Sequence, residues 1–273
     1  MLDDHAIHLF QEQVWDYYRR HGRHDLPWRQ PSGSDLNAYH VAVSELMLQQ
    51  TQVSRVLPKY HQFLANFPTV TALANAPLGE VLRAWSGLGY NRRAKFLWQA
   101  AGQVVRDHGS EFPRQLDQLT ALPGIGPNTA GAILAYAYNE PAIFVETNIR
   151  TVYIHHFFHD QTDIADKAVL ELVAETLDPT NPREWYWALM DYGAHLKRTV
   201  GNLNHRSRTY ARQSAFHGSR RQLRGQVLRL LGAGKPRTLA ALQTHLPDDR
   251  LPSVLDDLVS EQLIQKRGQT YRL

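Results

Sequence analysis

Apolar residues recur every three or four positions along most of the chain, which is the spacing of one face of an α-helix. Glycine and proline interrupt this pattern and mark the predicted joints between helices, as at Pro68 and Pro113. The one strand-like run, Ala142–Val145, is too short to support a sheet, so residues 1–217 are predicted to form an all-α domain. The pattern predicts helices over about His5–His21, Asn37–Phe67, Thr69–Ala76, Leu78–Gly87, Tyr90–Gly109, Arg114–Ala121, Asn128–Tyr138, Thr147–Phe158, Asp163–Leu177 and Pro182–Lys197.

The last part of the chain has a different pattern. Residues Leu263–Leu273 alternate between apolar and polar and are interrupted at Arg267 and Gly268, which predicts a hairpin. Three short helices are predicted before it, over Arg220–Leu231, Thr238–His245 and Leu251–Gln262. This order predicts a winged-helix-like domain over residues 218–273, a variant of the helix-turn-helix. Some domains of this type bind DNA, whereas others serve for packing or dimerisation, and the sequence leaves both open.

Composition restricts the class of protein. Of 273 residues, 43% are hydrophobic and 21% are charged, which is ordinary for a globular protein in solution. We find neither an apolar run long enough to span a bilayer nor the order of a signal peptide, and we therefore expect a cytoplasmic protein with no membrane partner. The chain has no cysteine, which excludes disulfides, thiolate zinc sites, cysteine nucleophiles and iron–sulfur clusters bound by thiolates.

The formal net charge is only +4, but the cations are unevenly distributed. No acidic residue occurs between Asp191 and Asp248. The same stretch contains eleven cations: Lys197, Arg198, Arg206, Arg208, Arg212, Arg220, Arg221, Arg224, Arg229, Lys235 and Arg237. Cations without a counter-charge attract a polyanion such as nucleic acid. The alternative is a solvated basic face without a ligand.

Leu122–Ala132, with the sequence LPGIGPNTAGA, is the sharpest local motif. Gly124 and Gly126 permit a tight turn and allow the backbone to approach a ligand. A helix is predicted to begin at once, with Asn128 and Thr129 in its first turn, so that backbone N–H groups and the positive end of the helix dipole face the turn. Such a helix start binds phosphate without regard to the base. The alternative is a plain αα-hairpin with a glycine cap.

This motif, followed by Phe144–Arg150 (FVETNIR), resembles the core of the helix-hairpin-helix DNA glycosylases. Ser44–Val53 (SELMLQQTQV) is similar to the adenine glycosylase (MutY) branch, and so are Leu26–Arg29 and Trp85–Tyr90. The motifs occur in the family's order over most of residues 8–200. The resemblance implies a two-lobed all-α core that binds double-stranded DNA containing a mismatch or lesion and removes a base. We expect it to act as a monomer.

Cutting an N-glycosidic bond requires an acid near the base and a carboxylate near the sugar. The resemblance implies that Glu45 is the acid, and its apolar neighbours would raise its pKa by partial burial. It implies that Glu146, where the family usually has aspartate, is the carboxylate, and that Asn148 orients it. The alternatives are a surface glutamate at position 45 and a helix N-terminal acid at position 146; the second is compatible with catalysis.

The resemblance also assigns the residues around the flipped base. Some relatives have a lysine at the position of Asn128 and use it as a Schiff-base nucleophile that also cuts the strand. Asparagine forms no imine, so a monofunctional glycosylase without lyase activity is implied. The residues assigned to fill the gap, hold the opposite strand or border the pocket are Gln49, Gln50, Leu88, Tyr90, Trp28, Arg29 and Asp191.

Besides Glu146, the chain departs from the family in two further places. Most members of this branch have a four-cysteine iron–sulfur cluster where this chain has Asn202–Tyr210, so we expect no cofactor and phosphate contacts from Arg206 and Arg208 instead. His155, His156 and His159 have a spacing compatible with metal binding, but polar packing or phosphate contact is the preferred interpretation.

The second departure is at the C-terminal segment, where the family has a nudix-like domain that checks for 8-oxoguanine and this sequence predicts the winged-helix-like domain instead. Adenine opposite 8-oxoguanine or guanine is therefore the expected substrate, without the domain that usually recognises the opposite base. The alternatives are thymine or uracil opposite guanine, a deaminated purine, or an inactive DNA-binding module.

Overall fold

The computed structural model describes residues 2–30 and 36–273, and most of that range is helical, which confirms the predicted all-α class. None of the helices in those two ranges is both long and apolar enough to cross a membrane. The helices are α1 (Asp4–His21), α2 (Ala38–Leu48), α3 (Val53–Asn66), α4 (Val70–Asn75), α5 (Leu78–Trp85), α6 (Arg92–Asp107), α7 (Leu116–Thr120), α8 (Pro127–Tyr138), α9 (Thr147–Phe157), α10 (Asp166–Thr176), α11 (Pro182–Thr199), α12 (Arg220–Gly232), α13 (Leu239–His245) and α14 (Leu251–Ser260). Single 3-10 turns lie at Pro27–Arg29 and Leu203–Arg206.

Side-chain caps fix where several helices begin. Asp3 accepts a hydrogen bond from the Ala6 N–H at 2.7 Å at the start of α1. Thr69 caps α4 in the same way. Asn181 caps α11, with Pro182 at the first helical position. Each cap accepts from a backbone N–H group that has no partner within its helix, and this is the reason the chain enters a helix at that residue.

The chain forms two compact units, each assembled from separate stretches of sequence. The first comprises Met1–Val41, Arg114–Ala121 and Ile125–Arg212. The second comprises Ala42–Pro113, Leu122–Gly124 and Gln213–Leu273. The C-terminal residues thus belong to the same unit as helices α3 to α6, and the predicted division at residue 217 stays a prediction.

Aromatic side chains fill the core of the first unit. Phe10 on α1 contacts the Tyr153 ring of α9 at 5.4 Å and the Trp185 ring of α11 at 6.0 Å, measured between centroids. Tyr186 on α11 stacks on Phe144 at 4.1 Å. Large buried rings contribute most of the apolar area that a helical domain removes from water. These contacts fix the start of α9 and the segment before it between α8 and α11.

In the second unit, α3, α5 and α6 pack around buried apolar side chains. Phe63 on α3 contacts the Trp85 ring edge-on, with a centroid distance of 5.8 Å. The Trp98 indole N–H donates to the Ala76 carbonyl at 2.9 Å, which joins α6 to the end of α4. This core holds the two turns described below, at residues 49–52 and 86–91.

The C-terminal part of the second unit has the predicted winged-helix order. After α12 come β1 (Arg237–Thr238), α13, α14, β2 (Gln265–Arg267) and β3 (Thr270–Arg272). The strands form an antiparallel sheet in the order β1-β3-β2, with Lys266 opposite Tyr271. Gly268 has a φ of 57° in the tight turn between β2 and β3.

One predicted helix is wrong. The sequence predicted a continuous helix over about residues 37–67, but the chain forms α2 and α3 with a turn at residues 49–52. Gln50 in this turn has a φ of 53°, a left-handed conformation that ends α2. The apolar periodicity continues across the break, and no glycine or proline marks it, so pattern alone could not locate it.

Candidate functional site

The turn between α7 and α8 contains two glycines with different roles. Gly124 has a φ of 77°, and a Cβ added there would lie 2.5 Å from the Phe96 Cβ. Gly126 has a φ of −85° and is the N-cap residue of α8, with Pro127 at the first helical position. A Cβ added at Gly126 would meet no heavy atom of the described residues within 4 Å. The fold therefore requires Gly124, whereas Gly126 leaves open space at the helix start.

The start of α8 has the geometry of an anion-binding helix start. Asn128 in its first turn is exposed, and Thr129 is half-buried. The first N–H groups of a helix have no acceptor within the helix, and the helix dipole adds positive charge there. These are the conditions under which backbone amides bind phosphate.

The Asn128 side chain also links α8 to the segment that precedes α9. Its Oδ1 accepts a hydrogen bond from the Val145 N–H at 3.4 Å. Gly131 permits the close approach, since a Cβ there would lie 2.8 Å from the Phe144 ring. Position 128, where some relatives have the lysine nucleophile, is thus joined to the residue that immediately precedes Glu146.

Glu146 is the N-cap residue of α9. Its Oε1 accepts hydrogen bonds from the N–H groups of Asn148 at 2.6 Å and Ile149 at 2.9 Å. Burial raises the pKa of the Glu146 carboxyl, although the two N–H groups and the charges of Arg150 and Lys197 oppose this. Glu146 therefore caps the helix, as the sequence predicted. The two hydrogen bonds hold its desolvated carboxyl group in one orientation.

Asn148 lies beside this carboxyl group and is itself tightly packed. Its Nδ2 donates to the Glu146 Oε2 at 3.5 Å and to the Met190 sulfur at 3.9 Å. A Cβ added at Gly193 of α11 would lie 2.2 Å from the Asn148 carbonyl oxygen. Helix α11 thus touches the first turn of α9 through a residue without a side chain, which fixes the position of Asn148.

Glu45 lies on α2 and is flanked in the sequence by buried apolar residues. The side chains of Val43, Leu46 and Met47 are buried, whereas Glu45 is half-buried. A carboxyl group that is partly removed from water but still accessible is suited to hold or deliver a proton. Glu45 belongs to the second unit, whereas Glu146 belongs to the first with Asn128 and Asn148.

A buried arginine organises the end of α2, and the sequence interpretation missed it. Arg93 donates through Nη1 to the carbonyl oxygens of Leu46 at 2.5 Å and Gln49 at 2.6 Å. Its guanidinium carbon lies 5.6 Å from the Trp85 ring centroid and 5.3 Å from that of Tyr90. Burial lowers the pKa of Arg93 to about 10. The Arg93 side chain therefore fixes the turns at residues 49–52 and 86–91. In the sequence, its only signal is its position three residues after Tyr90.

The predicted gap-filling residues lie on these two turns. Gln50 and Tyr90 have φ values of 53° and 46°, which are rare for residues other than glycine. Gln49 and Gln50 are exposed, and Tyr90 is 38% exposed. Strained backbone of this kind is concentrated at functional sites. Leu88 is only 3% exposed, so its side chain belongs to the core, and its contact with DNA stays a prediction.

The residues predicted to border the base pocket form a buried ion pair in the first unit. Arg29 donates to both carboxylate oxygens of Asp191, at 2.8 and 2.9 Å, and Arg23 donates to the same carboxylate. Burial acts to raise the pKa of Asp191, but hydrogen bonds and charges from the two arginines outweigh it and lower that pKa. Trp28, which precedes Arg29 in the sequence, is also buried. Asp191 is thus engaged by protein groups, and its contact with DNA stays a prediction.

The segment Asn202–Tyr210, where the resemblance places the cluster loop of relatives, is held by hydrogen bonds. Asn204 is buried and donates through Nδ2 to the Thr147 carbonyl at 3.1 Å and the Thr151 Oγ1 at 2.7 Å. Arg206 donates to the carbonyl oxygens of Phe158 and Gln161. These bonds attach residues 202–210 to α9 directly after Glu146, in the first unit.

The sequence predicted that the cations between Asp191 and Asp248 have no counter-charge, and this is wrong for several of them. Arg208 pairs with Asp163 at 2.7 Å. Arg220 pairs with Asp257 at 2.6 Å. Arg224 pairs with Glu261 at 2.5 Å. The acids come from distant parts of the sequence, so an acid-free stretch of chain is not an acid-free surface.

His155 and His156 lie in the last turn of α9 with their ring centroids 4.9 Å apart, and His159 follows the helix. His156 contacts the Phe10 ring and lies within hydrogen-bonding distance of the Tyr192 hydroxyl, at 3.1 Å. Burial, with smaller contributions from His155 and His159, lowers the pKa of His156 to about 4. Across residues 2–30 and 36–273, no group of three potential metal-ligating side chains is present.

Comparison with known proteins agrees with these features. Residues 43–179 match the family described as HhH-GPD superfamily base excision DNA repair protein. An adenine DNA glycosylase of Mycolicibacterium smegmatis is 37% identical over 90% of this chain and 89% of its own length. One from Mycobacterium tuberculosis is 33% identical over 95% of this chain and 93% of its own.

Solved structures give the same fold at lower sequence identity. A thermostable thymine-DNA glycosylase superposes with a TM-score of 0.62 at 23% identity, covering 70% of this chain and 87% of its own. An endonuclease III trapped in a covalent complex with DNA gives 0.56 at 18% identity, covering 73% and 88%. The family match and the similarity to these relatives, together with the hairpin and the capped glutamate, show that the chain belongs to the HhH-GPD superfamily of base excision DNA repair proteins.

Proposed function

We propose that this protein is a monofunctional DNA glycosylase that hydrolyses the N-glycosidic bond of adenine mispaired with 8-oxoguanine or guanine. The observation that carries the proposal is the desolvated Glu146 carboxyl group, held in one orientation at the start of α9. The similarity to adenine DNA glycosylases over nearly the whole chain supports adenine as the base.

In the proposed reaction, Glu45 donates a proton to a ring nitrogen of the flipped adenine and makes it a better leaving group. The bond between nitrogen and sugar carbon then breaks, and its electron pair leaves with the base. The Glu146 carboxylate stabilises the positive charge that develops on the sugar. Water adds to that carbon, a proton returns to Glu45, and the DNA keeps an abasic site.

The residue at position 128 supports hydrolysis without strand cleavage. An imine intermediate requires an amine, and Asn128 has only an amide, whose oxygen accepts the Val145 N–H. We therefore propose that the strand stays intact until alkali cleaves the abasic site.

The proposed grip on DNA needs no metal. Backbone amides at the start of α8 would bind one phosphate and the exposed Arg212 another, whereas Arg208 would have to exchange its pair with Asp163 for a phosphate. The hydrogen bonds of Asn204 and Arg206 would hold the segment in the absence of a cluster.

The test is a panel of end-labelled duplexes with adenine opposite 8-oxoguanine, adenine opposite guanine, and thymine or uracil opposite guanine. We expect strand breaks at adenine, and only after alkali. Breaks confined to thymine or uracil would contradict adenine as the substrate, and breaks before alkali would contradict the absence of lyase activity.

Two variants separate catalysis from binding. Glu45→Gln should bind the adenine duplex with unchanged affinity and release no base, whereas Glu171→Gln, on an exposed position of α10, should behave like the parent protein. If the parent released no base from any duplex but still bound them, the chain would be a DNA-binding module and the proposal would be wrong.

A further inference from the structure

Arg150 lies one helical turn after Glu146, and the reaction described above does not use it. Its backbone N–H donates to the Glu146 carbonyl oxygen at 2.8 Å, in the first turn of α9. Side chains four residues apart lie on the same face of a helix, so the Arg150 guanidinium is a neighbour of the Glu146 carboxyl group. No ion pair joins the two groups in the part of the chain that the structure describes, so Arg150 acts on this carboxyl group through its charge.

A second acid holds the Arg150 guanidinium in place. Arg150 donates through Nε to the Asp166 Oδ1 at 2.9 Å and through Nη2 to the Asp166 Oδ2 at 3.0 Å. Asp166 is the first residue of α10, and the Arg150 side chain is only 14% exposed. A bidentate pair between two planar groups restricts the orientation of both. The positive charge therefore has a fixed position relative to α9.

The segment that follows α11 holds Asp166 from its other side. Thr209 donates through Oγ1 to both carboxylate oxygens of Asp166, each at 3.3 Å. The Arg208 N–H donates to the Ile164 carbonyl oxygen at 2.9 Å, two residues before Asp166. The position of Asp166, and with it that of the Arg150 guanidinium, is thus determined by α10 and by this segment together.

The charges that act on Glu146 come from two helices. Burial raises the pKa of its carboxyl; two backbone N–H groups oppose this, followed by the charge of Arg150 on α9 and then by that of Lys197 on α11. Lys197 is exposed, so water screens its charge more than that of Arg150. Of the other elements packed against α9, α10 directs Asp166 at Arg150, and Arg206 donates to carbonyl oxygens after the end of the helix. Arg150 is therefore the shielded cation nearest in sequence to the carboxyl group.

We propose that Arg150 is a positioning residue for base release: its guanidinium, held by Asp166, stabilises the ionised form of Glu146 that the developing sugar cation requires. This inference rests on the proposed function, because it takes the Glu146 carboxylate as the group that faces the sugar. Burial strengthens the attraction between a carboxylate and the sugar cation, but it also favours the protonated acid. A shielded cation one turn away offsets the second effect without forming an ion pair with the carboxylate.

The alternative is that Arg150 serves only to join α9 to α10. Arg150→Gln and Asp166→Asn break the same ion pair, but only Arg150→Gln removes the positive charge next to Glu146. Arg150→Lys keeps the charge and loses the bidentate geometry. A purely structural role predicts similar effects of all three substitutions, whereas the proposed role predicts an effect on Glu146 that is specific to Arg150→Gln.

The first measurement is the single-turnover rate of base release from the duplex with adenine opposite 8-oxoguanine, as a function of pH. In Arg150→Gln, Glu146 should become protonated at a higher pH, so the ratio of the rate at about pH 6 to that at about pH 8.5 should fall at least about threefold below the parent's. Arg150→Lys and Asp166→Asn should not lower this ratio by more than about twofold. Lys167→Gln, at an exposed position next to Asp166, should leave both the rate and the ratio unchanged.

An Arg150→Gln ratio equal to the parent's would overturn the proposal, and so would an equal fall in Asp166→Asn. If Arg150→Gln does not fold, Arg150→Gln combined with Asp166→Asn takes its place, because the double variant leaves neither member of the pair charged and unpaired. Its ratio should fall in the same way, and a parental ratio in the double variant would also overturn the proposal.

The second measurement does not depend on base release. Urea unfolding at neutral pH gives the gain in stability caused by Glu146→Gln in the parent, in Arg150→Gln and in Asp166→Asn. Loss of the Arg150 charge makes the ionised Glu146 more costly, so the gain should be larger in the Arg150→Gln background and no larger in the Asp166→Asn background. The cost of the broken ion pair cancels within each comparison. Equal gains in all three backgrounds would overturn the proposal.

Together the two measurements keep this inference separate from the proposed function. If the parent protein releases no adenine but the gain depends on Arg150, the proposed function fails and the influence of Arg150 on Glu146 stands. If the parent releases adenine and neither the ratio nor the gain depends on Arg150, only the role of Arg150 fails.

Discussion

Gly193 lies against Asn148 so closely that a Cβ on Gly193 would be 2.2 Å from the Asn148 carbonyl oxygen and 2.9 Å from its Cβ. Both neighbouring atoms belong to a helix, so neither is free to rotate away. Asn148 in turn donates a backbone hydrogen bond to Glu146. The absence of one side chain on α11 therefore determines where the proposed catalytic carboxylate lies.

Gly193→Ala should both destabilise the protein and slow base release. The added methyl must push the first turn of α9 away from α11, and overpacking of this kind costs about 1–3 kcal/mol. Thermal unfolding and single-turnover base release would measure the two effects. Gly102→Ala on α6 is the matched control, because its Cβ would meet only the end of the Arg106 side chain, and it should stabilise the protein by about 0.5–1 kcal/mol. Equal behaviour of the two variants would contradict this account.

Substitution by alanine should change the stability of the protein much more at Gly124 than at Gly126. Gly124→Ala places a methyl in a left-handed conformation against Phe96, and we expect a loss of at least about 2 kcal/mol in unfolding free energy. Gly126→Ala enters open space, so stability should change by less than about 1 kcal/mol.

Although Gly126→Ala should change stability little, it should weaken DNA binding strongly. Its methyl group would occupy the space through which a phosphate approaches the start of α8, so we expect affinity for duplex DNA to fall at least about tenfold. Urea unfolding and anisotropy on the same preparations provide the comparison. Normal DNA binding by Gly126→Ala would show that the start of α8 does not contact DNA.

The sequence predicts those parts of the fold that depend on local chemistry. The apolar period predicted most helices, and the LPGIGP motif predicted the turn before α8, because glycine and proline fix backbone conformations wherever they occur. Glu146 was correctly placed at a helix start because an acid there is stabilised by free N–H groups.

Features that depend on contacts between distant residues escaped prediction. The break at Gln50 is fixed by Arg93, which donates to the carbonyl oxygens of Leu46 and Gln49 and lies 47 and 44 positions after them in the sequence. Asp163 neutralises Arg208 across a similar separation. No periodicity encodes such pairings, because they arise only when the helices pack.

Asn204 should be essential for holding the segment that follows α11. Asn204→Ala removes the donor to the Thr147 carbonyl and to the buried Thr151 hydroxyl, and a lost partner at a buried group costs about 1–3 kcal/mol. Because both oxygens lie within five residues of Glu146, base release should also slow. Asn202→Ala is the control, since its side chain makes only long hydrogen bonds of 3.5 Å, and it should change stability by less than about 0.5 kcal/mol. A protease-resistance assay on the two variants would reveal detachment of the segment, and equal resistance would contradict this role.

Glu146→Gln should abolish base release and at the same time stabilise the protein at neutral pH. Burial raises the pKa of this carboxyl in the folded state, so its favourable contribution exists below the unfolded-state pKa and is lost as pH rises through the folded-state value. At pH 7 the ionised group is therefore a net cost. Glutamine keeps an oxygen that accepts the N–H groups of Asn148 and Ile149 without the charge, and a gain of about 1 kcal/mol is the usual size for such a change.

The pH dependence distinguishes this explanation from a general packing effect. The stability gain of Glu146→Gln should be largest near neutrality and should shrink as the pH falls, because the parent carboxyl then becomes protonated too. The parent's base-release rate should decline on the acid side at a pH above that of an ordinary glutamate, since Glu146 must be ionised to stabilise the sugar cation. Asp3→Asn, at the exposed cap of α1, should show neither effect. A stability difference between parent and Glu146→Gln that stays constant with pH would show that the carboxyl charge is not the cause.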